Sequence, residues 1–183
     1  MPFLKQETDR WPEGLLESEN ALEQPWWCMY TLARQEKKLM RELCDLQTPF
    51  YGPTIPRRYR APNGRLRTSV EPLFANYVFV CGDENERYKA ICTGTISRCE
   101  KVPDSASLVH DLLQIKNLVA TGEPLSPERR LVAGQRVRVR SGVFKGFEGT
   151  ILRRENQIRL LISVKYMGQG ASVAVDDCQL DPI

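Results

Sequence analysis

Glycines 142, 146, 149, 168 and 170 punctuate the stretch from residue 136 to 175, and each would cost a helix roughly 1 kcal/mol. Between them Val137, Val139, Ile151, Ile158, Ile162, Val164, Val173 and Val175 fall in alternating or strand-length runs. The segments "RVRVRS", "FEGTILRR", "QIRLLISVKY" and "ASVAVDD" therefore read as short strands, and a small five-stranded β-barrel over residues 131–183 is the natural fold. Within "SGVFKGFEGTIL" (141–152) the glycines could cradle a phosphate or turn corners. Neither Lys-Ser nor Lys-Thr follows them, and no helix does, whereas a phosphate cradle needs a helix N-terminus or an equivalent nest of amides. They read as corners, with Phe144 and Phe147 plugging the barrel. Val137 and Val139 alternate with Arg136, Arg138 and Arg140, which gives one apolar and one basic strand face.

The chain upstream has a different rhythm. "WWCMYTL" (26–32), "ANYVFV" (75–80) and "TISRCEKV" (95–102) read as strands. "RQEKKLMRELCDLQ" (34–47) sets Leu39, Leu43 and Leu46 on one stripe of a helix that Pro49 stops. Asp83 caps a short helix over 83–92, and Asp104 or Ser105 caps another over 104–119. Asn63-Gly64 marks a hairpin turn. The expected organisation is an acidic, flexible leader (1–25), an α+β domain (26–119), a linker (120–130) and the barrel (131–183).

Net charge is +3 over the whole chain, yet residues 1–25 hold Glu7, Asp9, Glu13, Glu17, Glu19 and Glu23 against Lys5 and Arg10. The leader thus contributes −4 and the body +7, which suits an anionic partner or an ordinary solvated surface. With 42% apolar and 27% charged residues and no apolar run near the ~20 needed for a membrane span, the composition is that of a soluble protein. The acids and Trp11 near the N-terminus leave no secretory signal there. Cys28, Cys44, Cys81, Cys92, Cys99 and Cys178 show neither C-x-x-C nor zinc-ligand spacing, so they read as reduced thiols of a cytoplasmic protein. His110 stands alone among leucines, and no hydrolase, zincin or Walker signature occurs. No enzyme, metal or cofactor is expected.

Val137, Val139, Gly142, Phe144, Gly146, Gly149 and Ile151 together resemble a KOW motif. Upstream, "WWCMYTLARQEKK", "EPLFANYVFV" and "TGTISR" follow the order and spacing of the N-terminal (NGN) domain of the NusG family, so the resemblance spans residues 26–183. "EPLF-x-NY-x-FV" is similar to the specialised RfaH branch. The resemblance implies an NGN-like α/β sandwich with an antiparallel sheet, followed by an SH3-like KOW barrel. It also implies a monomeric, non-enzymatic transcription elongation or antitermination factor that rides on RNA polymerase.

On the family pattern, Tyr30, Phe74, Tyr77 and Phe79 match the surface that grips the clamp of the largest polymerase subunit. Tyr77 and Phe79 share one strand face and Val78 and Val80 the other. Without the resemblance, all four aromatics would sooner be core. Arg34, Gln35, Lys38 and Thr93 match the surface that touches the non-template DNA strand, although a solvated helix face would carry such residues too. Gly94 stands where the RfaH branch has an arginine, so that branch's sequence specificity does not carry over. Arg57, Arg58, Arg60, Arg65 and Arg67 form a basic hairpin, a further candidate for nucleic acid. Tyr166-Met167 matches the pair that binds a small-subunit ribosomal protein or the termination factor Rho, with Met in place of an aromatic. The competing expectation is a ribosome-associated or RNA-binding KOW protein, which explains the basic barrel but leaves "EPLFANYVFV" without a role.

Overall fold

The computed structural model describes residues 8–154, 157–175 and 180–183. The chain is mixed α+β with antiparallel sheets, and its contacts divide it into two compact units, Met1–Ala106 and Ser107–Ile183.

In chain order the first unit holds β1 (Arg10–Trp11), α1 (Glu19–Glu23), β2 (Trp26–Thr31), α2 (Glu36–Asp45) and β3 (Phe50–Tyr51). It continues with β4 (Thr54–Arg60), β5 (Leu66–Pro72), β6 (Tyr77–Cys81), α3 (Glu84–Cys92) and β7 (Ile96–Lys101). Five of these strands form one sheet in the order β1-β3-β6-β2-β7. Its two faces follow from strand alternation. Trp27, Met29, Val78, Val80 and Phe50 meet Leu39, Met40 and Leu43 of α2 and Ala90 of α3, so this face is the core. Cys28, Tyr30, Tyr77 and Phe79 point the other way, aligned across β2 and β6 by the pairs Cys28–Phe79 and Tyr30–Tyr77. Asp83 caps α3 through two backbone amides, from Asn85 (2.9 Å) and Glu86 (3.2 Å).

Two differences from expectation concern the leader and α2. Residues 1–7 of the leader lie outside the described residues, but the rest is built into the fold. Arg10 and Trp11 pair with Tyr51 and Phe50, Leu15 and Leu16 are buried in a single 3-10 turn, and the Trp26 indole donates to the Ala21 carbonyl at 2.7 Å. Apolar side chains found partners that a scan for local periodicity does not register. α2 starts at Glu36, two residues later than the pattern implies, because Arg34 is held at φ +61°.

The second unit holds most of α4 (Ser105–Ala120), then β8 (Leu125–Glu128), β9 (Arg136–Val139), β10 (Glu148–Arg154), β11 (Gln157–Val164), β12 (Gln169–Ala174) and β13 (Leu180–Pro182). The expected boundary after residue 119 differs from this division. α4 is fastened to the C-terminal strands, its Asp111 Oδ2 accepting the Lys165 amide at 2.9 Å and its Gln114 Oε1 the Glu148 amide at 3.3 Å.

The expected five-stranded barrel is instead an open six-stranded sheet, β13-β9-β10-β11-β12-β8, with no pairing between its outer strands among the described residues. The reason lies in the segment expected as a linker: Leu125–Glu128 pairs with Gly170–Val173 and occupies the edge of β12. Pro127 is tolerated there because an edge strand can spare an amide. Within the sheet the expected alternation holds, with Val137 and Val139 buried and Arg136 and Arg138 exposed. Phe144 is buried and meets Phe147 edge-on at 6.3 Å. Asp176, Asp177 and Cys178, the end of one expected strand and one expected thiol, lie outside the described residues.

Candidate functional site

The pairing of β6 with β2, and of β2 with β7, brings a compact group of aromatic and charged side chains to one end of the sheet's second face. Tyr30 stands opposite Tyr77 on one side and Arg98 on the other. The two tyrosine rings lie 4.9 Å apart at 55°, and the Arg98 guanidinium sits 4.0 Å above the Tyr30 ring. The Tyr30 hydroxyl donates to Glu100 Oε2 at 3.2 Å. Partial burial pushes the phenol up to about 12, with Cys28 and Glu100 adding to the effect, so Tyr30 keeps its proton and remains a donor. Burial likewise pushes the Cys28 thiol beneath it up to about 12, which leaves it inert.

Of the four aromatics expected to act together, Tyr30, Tyr77 and Phe79 share one sheet face and Phe74 precedes it in the turn, and the four are not equally accessible. Tyr30 and Tyr77 are half-buried, whereas Phe79 is 0% and Phe74 2% exposed. Phe74 lies in the turn before β6, its carbonyl accepting the Tyr77 amide at 3.3 Å. That turn is braced from α2. Glu36, itself buried, accepts the Asn76 amide at 2.6 Å, and Asn76 adopts φ +67° and passes its carbonyl to the Thr31 amide at 2.9 Å. Glu36 thus positions the residue before Tyr77. Glu36→Ala is expected to cost about 1–2 kcal/mol through the orphaned amide, read as a lower melting temperature, with Glu36→Gln losing less.

The chain matches no known family model and no curated protein.

The residues expected at DNA lie around the start of α2 and the end of α3, which the Leu32 amide links by donating to the Thr95 carbonyl at 2.8 Å. Arg34 is exposed, and Gln35 occupies the N-cap position without a side-chain capping bond. Lys38 is exposed and 3.9 Å from Glu42. Thr93 turns its hydroxyl inward, donating to the Ala90 carbonyl at 2.7 Å and meeting Thr95 Oγ1 at 2.8 Å. It also borders a largely apolar groove of about 470 Å³ beside Leu46 and Tyr88.

The basic hairpin is β4–β5, closed by a turn in which Gly64 takes φ +76° and Asn63 Oδ1 accepts the Arg65 amide. Arg57, Arg58, Arg60, Arg65 and Arg67 are all exposed, and Arg57 forms an ion pair with Glu71 at 3.1 Å. Tyr59, 44% exposed, stands directly opposite Arg67. Tyr166 and Met167 sit half-buried in the single 3-10 turn after β11, the turn that Asp111 of α4 fastens.

Among the described residues no group of three His, Cys, Asp or Glu side chains could hold a metal ion. Cys28, Cys44, Cys81, Cys92 and Cys99 are free thiols, and His110 is exposed. No helix among the described residues is long and apolar enough to cross a membrane. Reading the sequence missed Arg98 and Glu100. Their alternate placement in "SRCEK" sets them on one face, but only the β2–β7 pairing reveals that the face is that of Tyr30.

Proposed function

We propose that this chain is a cytoplasmic, non-enzymatic transcription elongation or antitermination factor of the NusG type. In this reading the N-terminal unit grips the RNA polymerase clamp and the C-terminal unit recruits a second partner. The observation that supports it best is the Tyr30–Tyr77–Arg98 cluster: paired, partly accessible aromatics with a guanidinium above them, on the sheet face turned away from α2 and α3. Tyr and Arg in a partly desolvated setting are the residue types that dominate protein interfaces. Tyr166 and Met167 offer the C-terminal unit's partner surface, for a small-subunit ribosomal protein or Rho. Affinity purification of the tagged chain tests the reading. RNA polymerase in the captured material supports it, whereas ribosomal subunits without polymerase favour an RNA-binding KOW protein.

The DNA part of the proposal rests on Arg34, Gln35 and Lys38. Arg34 is an exposed arginine held at φ +61° in the turn that the Gln35 amide closes onto the Leu32 carbonyl at 3.1 Å, a conformation disfavoured for residues with a Cβ by roughly 1–2 kcal/mol. Among the described residues its side chain makes no hydrogen bond or ion pair that favours arginine over glycine there. A contact outside the chain accounts for its retention. Arg34→Gly is therefore expected to raise stability by up to about 1 kcal/mol, glycine's greater freedom in the unfolded chain offsetting part of the gain. The same change lowers crosslinking of the non-template strand, and replacing Arg34, Gln35 and Lys38 together with alanine removes most of it while polymerase binding persists. An undiminished crosslink in the triple variant overturns the DNA assignment.

A further inference from the structure

The C-terminal sheet carries a second built feature, a cavity of about 420 Å³ lined by Ser126, Arg154, Gln157 and Arg159. Register places all four on one face. Arg154 pairs with Gln157 across β10 and β11, Arg159 follows Gln157 at the next same-face position, and Ser172, two residues before Arg159's partner Ala174, pairs with Ser126. We propose that this cavity binds the phosphate group of a ligand.

The argument begins with how the arginines are held. Arg159 Nε donates to Ser172 Oγ at 2.9 Å, while its Nη2 donates to Ser126 Oγ at 3.0 Å and to the Ser172 carbonyl at 2.9 Å. A guanidinium has five N–H donors in a rigid fork. These three bonds consume one edge and leave the Nη1 amino group without a partner among the described residues. All three acceptors are neutral, and among the described residues no carboxylate pairs with Arg159. Arg154 is fixed by Glu128, which is 6% exposed and has both oxygens occupied, Oε2 by Arg154 Nη2 at 2.7 Å and Oε1 by the Ser172 hydroxyl at 2.6 Å. Its Nε and Nη1 have no partner among the described residues. Among the described residues two positive charges face one negative, so the cavity is cationic, with its guanidiniums held by side-chain bonds before any ligand arrives. That arrangement lowers the ordering cost of binding.

The open edge of Arg154 and the remaining amino group of Arg159 reach the cavity from different strands, and with an amide and a hydroxyl beside them they suit a tetrahedral oxyanion with several oxygens to satisfy. A planar carboxylate is satisfied by a single fork. The phosphate could be free or part of a single-stranded nucleic acid, and both sources present the same chemistry. The inference is independent of the polymerase reading, since it uses none of its residues.

The test is an amide NMR titration of the full chain with sodium phosphate, against sodium chloride at matched ionic strength, and in parallel with a short oligothymidylate. Saturable shifts at Ser126, Arg154, Gln157, Arg159 and Ser172 with phosphate but not chloride are expected. Gln157→Glu leaves every bond named above intact and places a carboxylate in the cavity, so it should weaken phosphate binding at least ~10-fold. Arg159→Gln should abolish it, with amide shifts away from the cavity showing that the variant is folded, and Gln157→Glu tests the same site without removing any of the bonds that hold Arg159. The oligonucleotide saturating the same residues at lower concentration identifies a phosphodiester strand as the source; saturation by phosphate alone identifies a small anion. Indistinguishable responses to phosphate and chloride, or wild-type phosphate binding by Gln157→Glu, overturn the proposal.

Discussion

Tyr77→Asp is expected to abolish polymerase binding in a chain that still folds. Tyr77 opens β6, is half-buried, and packs its ring 4.9 Å from Tyr30. Losing that ring pair costs the fold about 0.5–1.5 kcal/mol beyond lost area, which a sheet braced by β2, β3 and both helices can absorb. An interface loses far more if Tyr77 is one of its anchors, because truncating a hot-spot aromatic costs about 2 kcal/mol or more and a new carboxylate must also be desolvated. The added charge would stand on the sheet face that also carries Glu100, and Arg98 on that face is already paired with Glu100 at 3.4 Å. Phe74 is a poor choice for the same experiment. At 2% exposure a charge there has nowhere to be solvated, and loss of binding would report only loss of fold. Tyr77→Phe is the matched control, retaining the ring and binding. Capture of polymerase, read beside a circular-dichroism melt, decides the matter: a folded Tyr77→Asp chain that captures polymerase as wild type does puts the clamp surface elsewhere.

What the sequence reveals of this structure is what depends on neighbours along the chain. Leu39 and Leu43 of the α2 stripe, the Asp83 cap, the Asn63-Gly64 turn and the two-faced β6 are all local periodicities or local chemistries, and each stands where the pattern puts it. Leu46, expected on the same stripe, instead follows the last residue of α2 and is exposed. The leader and β8 do not announce themselves. Leu15, Leu16 and Ala21 sit among acids and prolines, and their burial depends on partners such as Trp26 that only the assembled sheet supplies. "PLSPERR" reads as a tether because it is polar and proline-rich, yet an edge strand needs only its backbone, and β12 offers a free edge. The site divides in the same way. The same-face placement of Tyr77 and Phe79 follows from a period of two, whereas the ring contact with Tyr30, the Arg98 cation and the unequal burial of Phe79 follow from non-local pairing.

Gly149→Ala is expected to destabilise the C-terminal unit by about 3 kcal/mol, and Gly146→Ala by only about 1, although the motif treats the two glycines alike. Gly146 is a corner. It has φ +91° and open space around it, so an added Cβ meets no atom and the expense is conformational alone. Gly149 is something else: it lies in β10, pairs with Val137, and an added Cβ would stand 2.4 Å from the Leu161 carbonyl oxygen and 2.9 Å from Leu160 Cδ1. A backbone oxygen cannot rotate away, so β10 must move off β11. Gly170 in β12 repeats the relation from the other side, its Cβ falling 2.3 Å from the Ile162 carbonyl oxygen, and Gly170→Ala should match the larger loss. β11 is thus approached closely on both flanks at adjacent residues, and side-chain-free positions are what allow both neighbours to pair with it there. Asparagine separates the two causes, since it tolerates a left-handed backbone but not a missing cavity: Gly146→Asn should melt near wild type and Gly149→Asn well below it. Equal melting temperatures for Gly149→Ala and Gly146→Ala would mean that β10 and β11 are not apposed this closely. Because β10 ends at Arg154 and β11 begins at Gln157, the same displacement would reach the cationic cavity, and Gly149→Ala should weaken phosphate binding there while Gly146→Ala leaves it intact.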